Sequence, residues 1–434
     1  MGFLKPILTF EDIGGVFQGT TTDAWSTVFT FQTGDPLVFG GTLKNLGGVN
    51  DILYRLVYRR SGIDVADVTG AAISVKNANW QEATPAGSVS KYWNCSAVSA
   101  NGRVMLAGVK NGRLYRSLDG GATWSETQPA GAANKEWRTC AVSADGSVML
   151  AGVNNGRLYK STTTGASWSE VQPAGAVDKA WYCCAVDDDG SVMLAGVLVG
   201  RLYASTNTGV NWNEVQPAGA VDKAWYCCAV DDDGSVMLAG DWGGRLYAST
   251  NTGVNWNEVQ PAGAVNQFWA CCDVDSDGSV MLVGTYGNRI YKSINTGANW
   301  SEVQPAGAVD KQWRCCSVNT DGSVMLAGVF GGRLYKSTDT GATWGEAQPA
   351  GATDLSWETC SISSNATVMI AGDYGGRLYY FTQTDAISLI QTTVGGQYVP
   401  VCVAPLTKIA LQVMSAVSGQ PTSYRVQASC LRCR

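Results

Sequence analysis

Short apolar runs separated by turn-forming clusters recur through the middle of the chain at a constant interval. From Trp181 onward the runs are WYCCAV, SVMLAGV, GRLYAS and NWNEVQ, broken by DDDG, by a Gly-containing hairpin and by TNTG. Runs of this length, rich in Val, Tyr, Trp and Cys and bounded by Gly, Asp and Asn, read as β-strands joined by tight turns. Two Trp series keep the beat: Trp80, Trp124, Trp168, Trp212, Trp256, Trp300 and Trp344, and Trp93, Trp137, Trp181, Trp225, Trp269, Trp313 and Trp357, each spaced by 44 residues. Four strands per 44 residues is the signature of a propeller blade, whereas helical repeats would carry a 3.6 period and few Gly. The fold expected is all-β, a seven-bladed β-propeller. Its blades run from an inner strand A (WYCCAV) through B and C to an outer strand D (NWNEVQ).

The last blade lacks its own D strand, because after GRLYYF (376–381) the repeat frame fails. At the other end Asn79-Trp80-Gln81-Glu82 is a D strand with no blade before it. Pairing the two closes the ring and removes its open edges. Both flanks then leave the ring at one place, on the face that carries the A-to-B and C-to-D turns. Residues 1–75 and 386–434 contain alternating stretches such as ILYRLVYR (52–59) and KIALQVMSAV (408–417), which read as a second domain, a β-sandwich formed jointly by the two segments, the alternative being two small independent flanking modules of which the C-terminal one would bury little core. The propeller, residues 76–385, is inserted between them.

The turn before the first Trp series has the pattern Ser-x-Asp-x-Gly-x-x-Trp in SLDGGATW and STDTGATW. It resembles the Asp-box, or BNR, repeat of sialidase-like propellers. The resemblance implies a structural motif of Ser117, Asp119, Gly121 and Trp124, and of Ser337, Asp339, Gly341 and Trp344: the Gly takes positive φ, the Asp accepts from turn N–H groups and the Trp pins the next strand. Thr163, Asn207, Asn251 and Asn295 stand where other turns would have Asp.

Chemistry narrows from there. The 434 residues contain no His, only 15% charged residues and a net charge of −6 with the basic residues scattered, so a nucleic-acid footprint is missing. No run approaches a membrane span, and Met1–Phe10 lacks the apolar core of a signal peptide. Eleven of the 14 Cys belong to strand A, where repetition indicates packing; no metal and no cofactor is expected, and one disulfide is considered among Cys402, Cys430 and Cys433. The Arg on strand C, Arg113 to Arg377, recurs once per blade. No unique set of Arg, Tyr and Glu stands out from the repeat, so the differentiated groups of an active site are not expected, and neither is an enzyme.

Residues 171–214 and 215–258 are identical except at 197–199, where Val-Leu-Val faces Asp-Trp-Gly at 241–243 in the B-to-C hairpin. Followed around the ring, that hairpin position gives Lys110, Asn154, Leu198, Trp242, Tyr286, Phe330 and Tyr374. The last four form an aromatic arc on the face opposite the flanks, suited to a sugar or an apolar protein patch, or else packed as a lid. The D-to-A residues Asp178, Asp222, Asp310 and Asp354 on the same face read as structural.

The flanks resemble small β-sandwich proteins of bacteriophage and other virus particles. That resemblance implies a noncatalytic virion surface protein, a capsid decoration or a tail or fibre component. Its partners would be other virion proteins through the flanking domain, with oligomerisation there, and a host glycan or protein at the propeller. The alternatives are a cellular carbohydrate-binding or assembly-factor propeller and, least favoured, a sialidase-like glycoside hydrolase.

Overall fold

A computed structural model describes residues 79–383 and six strands outside them: Arg55–Arg60, Ile63–Thr69, Leu389–Val394, Gln397–Cys402, Ile409–Ser415 and Tyr424–Cys430. The chain divides into two units, Asn79–Gln383 and the two flanks together. Within the flank unit the strands form three antiparallel hairpins, Arg55–Arg60 with Ile63–Thr69, Leu389–Val394 with Gln397–Cys402, and Ile409–Ser415 with Tyr424–Cys430. Ile63–Thr69 lies beside Leu389–Val394, so strands from both ends of the chain meet in that unit. The disulfide considered among Cys402, Cys430 and Cys433 lies outside the described side chains.

The larger unit is all-β and consists of four-stranded antiparallel blades. In the third blade A is Trp181–Val186, B is Met193–Val197, C is Leu202–Ser205 and D is Asn213–Val215, in that spatial order. The ladders are shorter than the apolar runs, because Asp187 and Gly190 close the A-to-B turn (Gly190 N–H to Asp187 carbonyl, 3.3 Å) and residues 206–212 form a structured turn. Asn79–Ala83 pairs antiparallel with Leu378–Thr382, Asn79 opposite Thr382 and Ala83 opposite Leu378. The early segment thus supplies the last blade's outer strand, and the ring is closed.

The core lies between blades. The second-series Trp side chains are 1–2% exposed, and each packs near the Tyr of its own strand C, as Trp181 does on Tyr203 at 6.0 Å. Strand B is the most deeply buried element of each blade, and Met105–Val109, Met149–Val153, Met193–Val197 and Met325–Val329 share the sequence MLAGV. Its Gly is required by close approach: a Cβ on Gly240 would lie 2.6 Å from Cys227 Sγ and 2.8 Å from Trp269 Cβ of the next blade.

The strand-A cysteines form a series across the joints. Cys95 meets Cys140, Cys183 meets Cys228, Cys227 meets Cys272, Cys271 meets Cys316 and Cys315 meets Cys360. Hydroxyls take over at the two remaining joints, where Thr139 Oγ1 lies 3.3 Å from Cys184 Sγ and Ser96 Oγ lies 2.7 Å from Thr359 Oγ1. Burial, and then the neighbouring thiol, pushes Cys140, Cys228, Cys272, Cys315 and Cys316 well above the usual thiol range. These thiols are neutral packing atoms.

The turns before the first Trp series are built by side-chain to backbone bonds. Ser117 Oγ accepts from Gly121 N–H at 2.9 Å and donates to Asp119 Oδ1 at 2.8 Å, and Asp119 Oδ1 accepts from Thr123 N–H at 2.8 Å. Trp124 Nε1 then donates to the Gly121 carbonyl at 3.0 Å. Ser337, Asp339, Gly341 and Trp344 repeat the arrangement. Asn207 performs the same acceptance from Asn211 N–H at 2.8 Å, and Thr163 from Ser167 N–H at 2.9 Å. Gly121 and Gly341 adopt φ of 92° and 70°. The residue before each such Gly is left-handed too, Thr340 having φ of 55°.

Candidate functional site

Every strand A carries a bulge at the same point: between its Trp and the residue two further on, the register with strand B shifts, as between Trp225 and Cys227. The extra residue is free of the ladder, and a bulge re-aims its side chain. Around the ring these residues are Asn94, Arg138, Tyr182, Tyr226, Ala270, Arg314 and Glu358, a different set of chemistries from an otherwise near-identical repeat. They converge. Arg138 Nη1 lies 3.0 Å from Glu358 Oε1, and Arg314 Nε lies 2.7 Å from Glu358 Oε2. Arg138 also approaches Asn94 Oδ1 at 3.3 Å, and Asn94 Nδ2 is held by the Trp137 carbonyl at 2.9 Å.

The expectation that no unique Arg, Tyr and Glu would emerge from the repeat is therefore corrected. That expectation followed the recurrent strand-C Arg, which is structural: Arg157, Arg201, Arg289 and Arg333 each pair with the following D-to-A Asp (Asp178, Asp222, Asp310 and Asp354) at 2.8–2.9 Å. Those aspartates are 62–66% exposed, so each pair is worth at most about 1 kcal/mol. The differentiated residues sit instead one place after the second-series Trp.

Aromatic rings surround the two guanidinium groups. Arg138 lies over Tyr182 at 4.7 Å and Tyr226 at 5.0 Å, and Arg314 faces Tyr226, Tyr286 and Trp242 at 5.1, 5.7 and 5.9 Å. Tyr226 and Trp242 stack at 4.3 Å, and Trp242 contacts Tyr286 at 5.4 Å. The rings reach this place because strand B of the fourth and fifth blades runs on into the hairpin and pairs with the next strand A, Trp242 opposite Phe268 and Tyr286 opposite Gln312. Burial raises the Tyr226 hydroxyl above the usual phenol range, although the nearby guanidinium charges oppose the shift.

A depression of about 370 Å³ opens between these groups, lined by Tyr182, Leu198, Tyr226, Trp242, Tyr286, Arg314 and Phe330. Three residues of the aromatic arc, Trp242, Tyr286 and Phe330, are brought together there. Tyr374, the fourth, is not in the lining; it packs on Phe330 at 6.0 Å and on Tyr92 at 4.8 Å, and its hydroxyl accepts from Lys110 Nζ at 3.0 Å. The sequence signal that marks Arg138, Tyr182, Tyr226, Arg314 and Glu358 is the column directly after the second-series Trp, which changes in nearly every blade.

Away from this face, Asp232 in an A-to-B turn is pushed up to about 7, chiefly by burial and then by the carboxylate of Asp188. Among the described residues no cluster of His, Cys, Asp and Glu is arranged to hold a metal ion.

No protein-family model matches the chain, and no curated protein matches it. Solved structures do. A YCF48 bound to D1 peptide aligns with TM-score 0.56 at 13% identity over 71% of this chain and 96% of its own. YCF48 from Cyanidioschyzon merolae aligns with TM-score 0.54 at 15% identity over 71% and 100%. The GH74 xyloglucanase from Xanthomonas campestris gives 0.54 at 17% identity over 73% of this chain and 55% of its own. At these identities the likeness is one of fold. The described residues are all-β, and their repeats are the blades of a β-propeller.

Proposed function

We propose that the protein is a noncatalytic recognition module that binds its ligand in the aromatic depression on the face of the B-to-C hairpins. The observation that carries this reading is the coincidence of two things that are separate in sequence: the hairpin residues that differ between blades and the bulged strand-A residues that differ between blades meet at one depression. Residues 171–214 and 215–258, copied verbatim elsewhere, differ only in the hairpin that brings Leu198 and Trp242 to this depression.

A glycosidase of the two-carboxylate kind is disfavoured by the lining, since that chemistry needs a carboxyl group on each side of the scissile bond. No carboxylate lines this depression, and Glu358 beneath it is engaged by both Arg138 and Arg314. The aromatic rings and free hydroxyls are the equipment of binding. The flanks are the attachment of the module. Their resemblance to particle proteins supports a virion surface location, in a capsid decoration or tail component, with other virion proteins as partners. The likeness of the ring to YCF48 leans toward the cellular assembly-factor alternative.

Glycan and peptide arrays probed with the full chain and with Trp242→Ala test the site. Binding by the wild type that falls at least about tenfold in the variant, with an unchanged melting temperature, is the expected outcome. Equal signals for the two proteins would remove the depression from the function. Recovery of the chain from purified particles decides between virion and cellular settings.

A further inference from the structure

The inference rests on the recognition reading above and names the chemistry of the ligand. We propose that the depression takes a carboxylate carried on an apolar group, with Arg314 as its receptor.

Charge is the first argument. Two guanidinium groups share a single carboxylate, so the cluster of Arg138, Arg314 and Glu358 keeps one net positive charge. Its side chains are only 10%, 18% and 2% exposed. A positive charge withdrawn from water and only partly compensated attracts an anion far more than an exposed one does.

Hydrogen-bonding capacity is the second. Arg314 spends Nε on Glu358, and among the described residues its two terminal nitrogens meet no acceptor. The Tyr182, Tyr226 and Tyr286 hydroxyls and the Trp242 indole N–H likewise make no hydrogen bond among the described residues. Every polar side chain of the lining can donate, and none is an obligate acceptor. With three rings around the Arg314 guanidinium and Nε taken by Glu358, what remains is the pair of terminal nitrogens, a fork that binds a carboxylate through two parallel bonds.

Shape supplies the carrier. Leu198, Phe330 and Trp242 complete the wall, so the group attached to the carboxylate meets apolar surface. A space of about 370 Å³ suits one amino-acid-sized group and is small for an oligosaccharide. A peptide ending in a hydrophobic residue presents this combination.

Isothermal titration of the full chain with N-acetylphenylalanine, with N-acetylphenylalaninamide and with glucuronate separates the possibilities. The acid is expected to bind at least about tenfold more tightly than the amide and more tightly than glucuronate. Arg314→Gln is expected to abolish the preference for acid over amide. Should that variant fail to fold, Phe330→Ala leaves the ion pairs intact and is expected to weaken both probes about fivefold while keeping their ratio. Acid and amide binding alike, both lost in Trp242→Ala, would overturn the carboxylate assignment and leave the recognition reading standing. No binding of the acid by the folded wild type at millimolar concentration would also overturn it, as would an acid preference that survives Arg314→Gln. Tighter binding of glucuronate would overturn the apolar carrier.

Discussion

Glu358 is the residue on which the site depends. It reaches Arg138 from two blades away around the ring and Arg314 from the adjacent blade, and it is almost inaccessible to solvent. Removing one partner of such a cluster costs more than the cluster itself contributes, because the remaining charges are left buried without compensation. Glu358→Gln leaves two guanidinium groups facing an amide. The expected loss is about 3 kcal/mol in chemical denaturation, with an unchanged m-value. A loss below about 1 kcal/mol would mean that the two arginines are solvated well enough not to need it. The strand-A thiols point the other way: they are neutral and buried, and the joints at Thr139 and at Ser96 manage with hydroxyls in their place.

At the scale of elements, strands and turns were legible because their chemistry is local. The Trp series set the period, Gly121 and Gly341 announced left-handed turns, and the orphan Asn79–Glu82 segment found its partner beside Leu378–Thr382. The site was half legible. Trp242, Tyr286 and Phe330 were visible as variation in a hairpin, but Arg138, Arg314 and Glu358 were not. Simple alternation along strand A assigns their column to one face of a regular ladder, and the bulge that turns the column out of the ladder leaves no mark in the apolar pattern. Tyr374 lies outside the depression, packed between Phe330 and Tyr92, with its hydroxyl accepting from Lys110 at the same hairpin position one blade on.

The same packing makes a prediction for the joints. Gly240 of strand B stands where a methyl group would press on Cys227 and Trp269. Gly240→Ala is expected to cost about 1–3 kcal/mol by overpacking, even though Ala suits a strand better than Gly does. Gly345, with nothing near its added Cβ, is the control and is expected to tolerate Ala. Melting temperatures of the two variants give the comparison, and equal effects would show that the blades are not in the close contact described.

For the molecule as a whole, the carboxyl groups buried in the A-to-B turns and strand A set the response to pH. Burial raises Asp232 to about 7, and Asp231 and Asp273 each to about 6, from an ordinary 3.8. For acids with raised values the folded state binds more protons than the unfolded chain, so folding is penalised above the raised value and the penalty is relieved as pH falls. Stability is expected to increase from about pH 7.5 down to about pH 5. Asp339, held down at about 2 by bonds from Thr343 and Ser337, contributes the opposite trend only at lower pH. Melting curves across this window check the sign, and Asp232→Asn should flatten the upper part of the slope. A melting temperature that rises with pH across the same window would contradict the burial of these groups.

Hydrogen–deuterium exchange of the full chain, with and without a ligand selected on the arrays, locates the binding surface most directly. Protection is predicted in peptides containing Tyr182, Tyr226, Trp242–Gly243 and Tyr286–Gly287, the backbone around the depression. Protection confined to the opposite turns, at Asp187–Gly190 and Asp231–Gly234, with exchange around Trp242 and Tyr286 unchanged, would contradict the account.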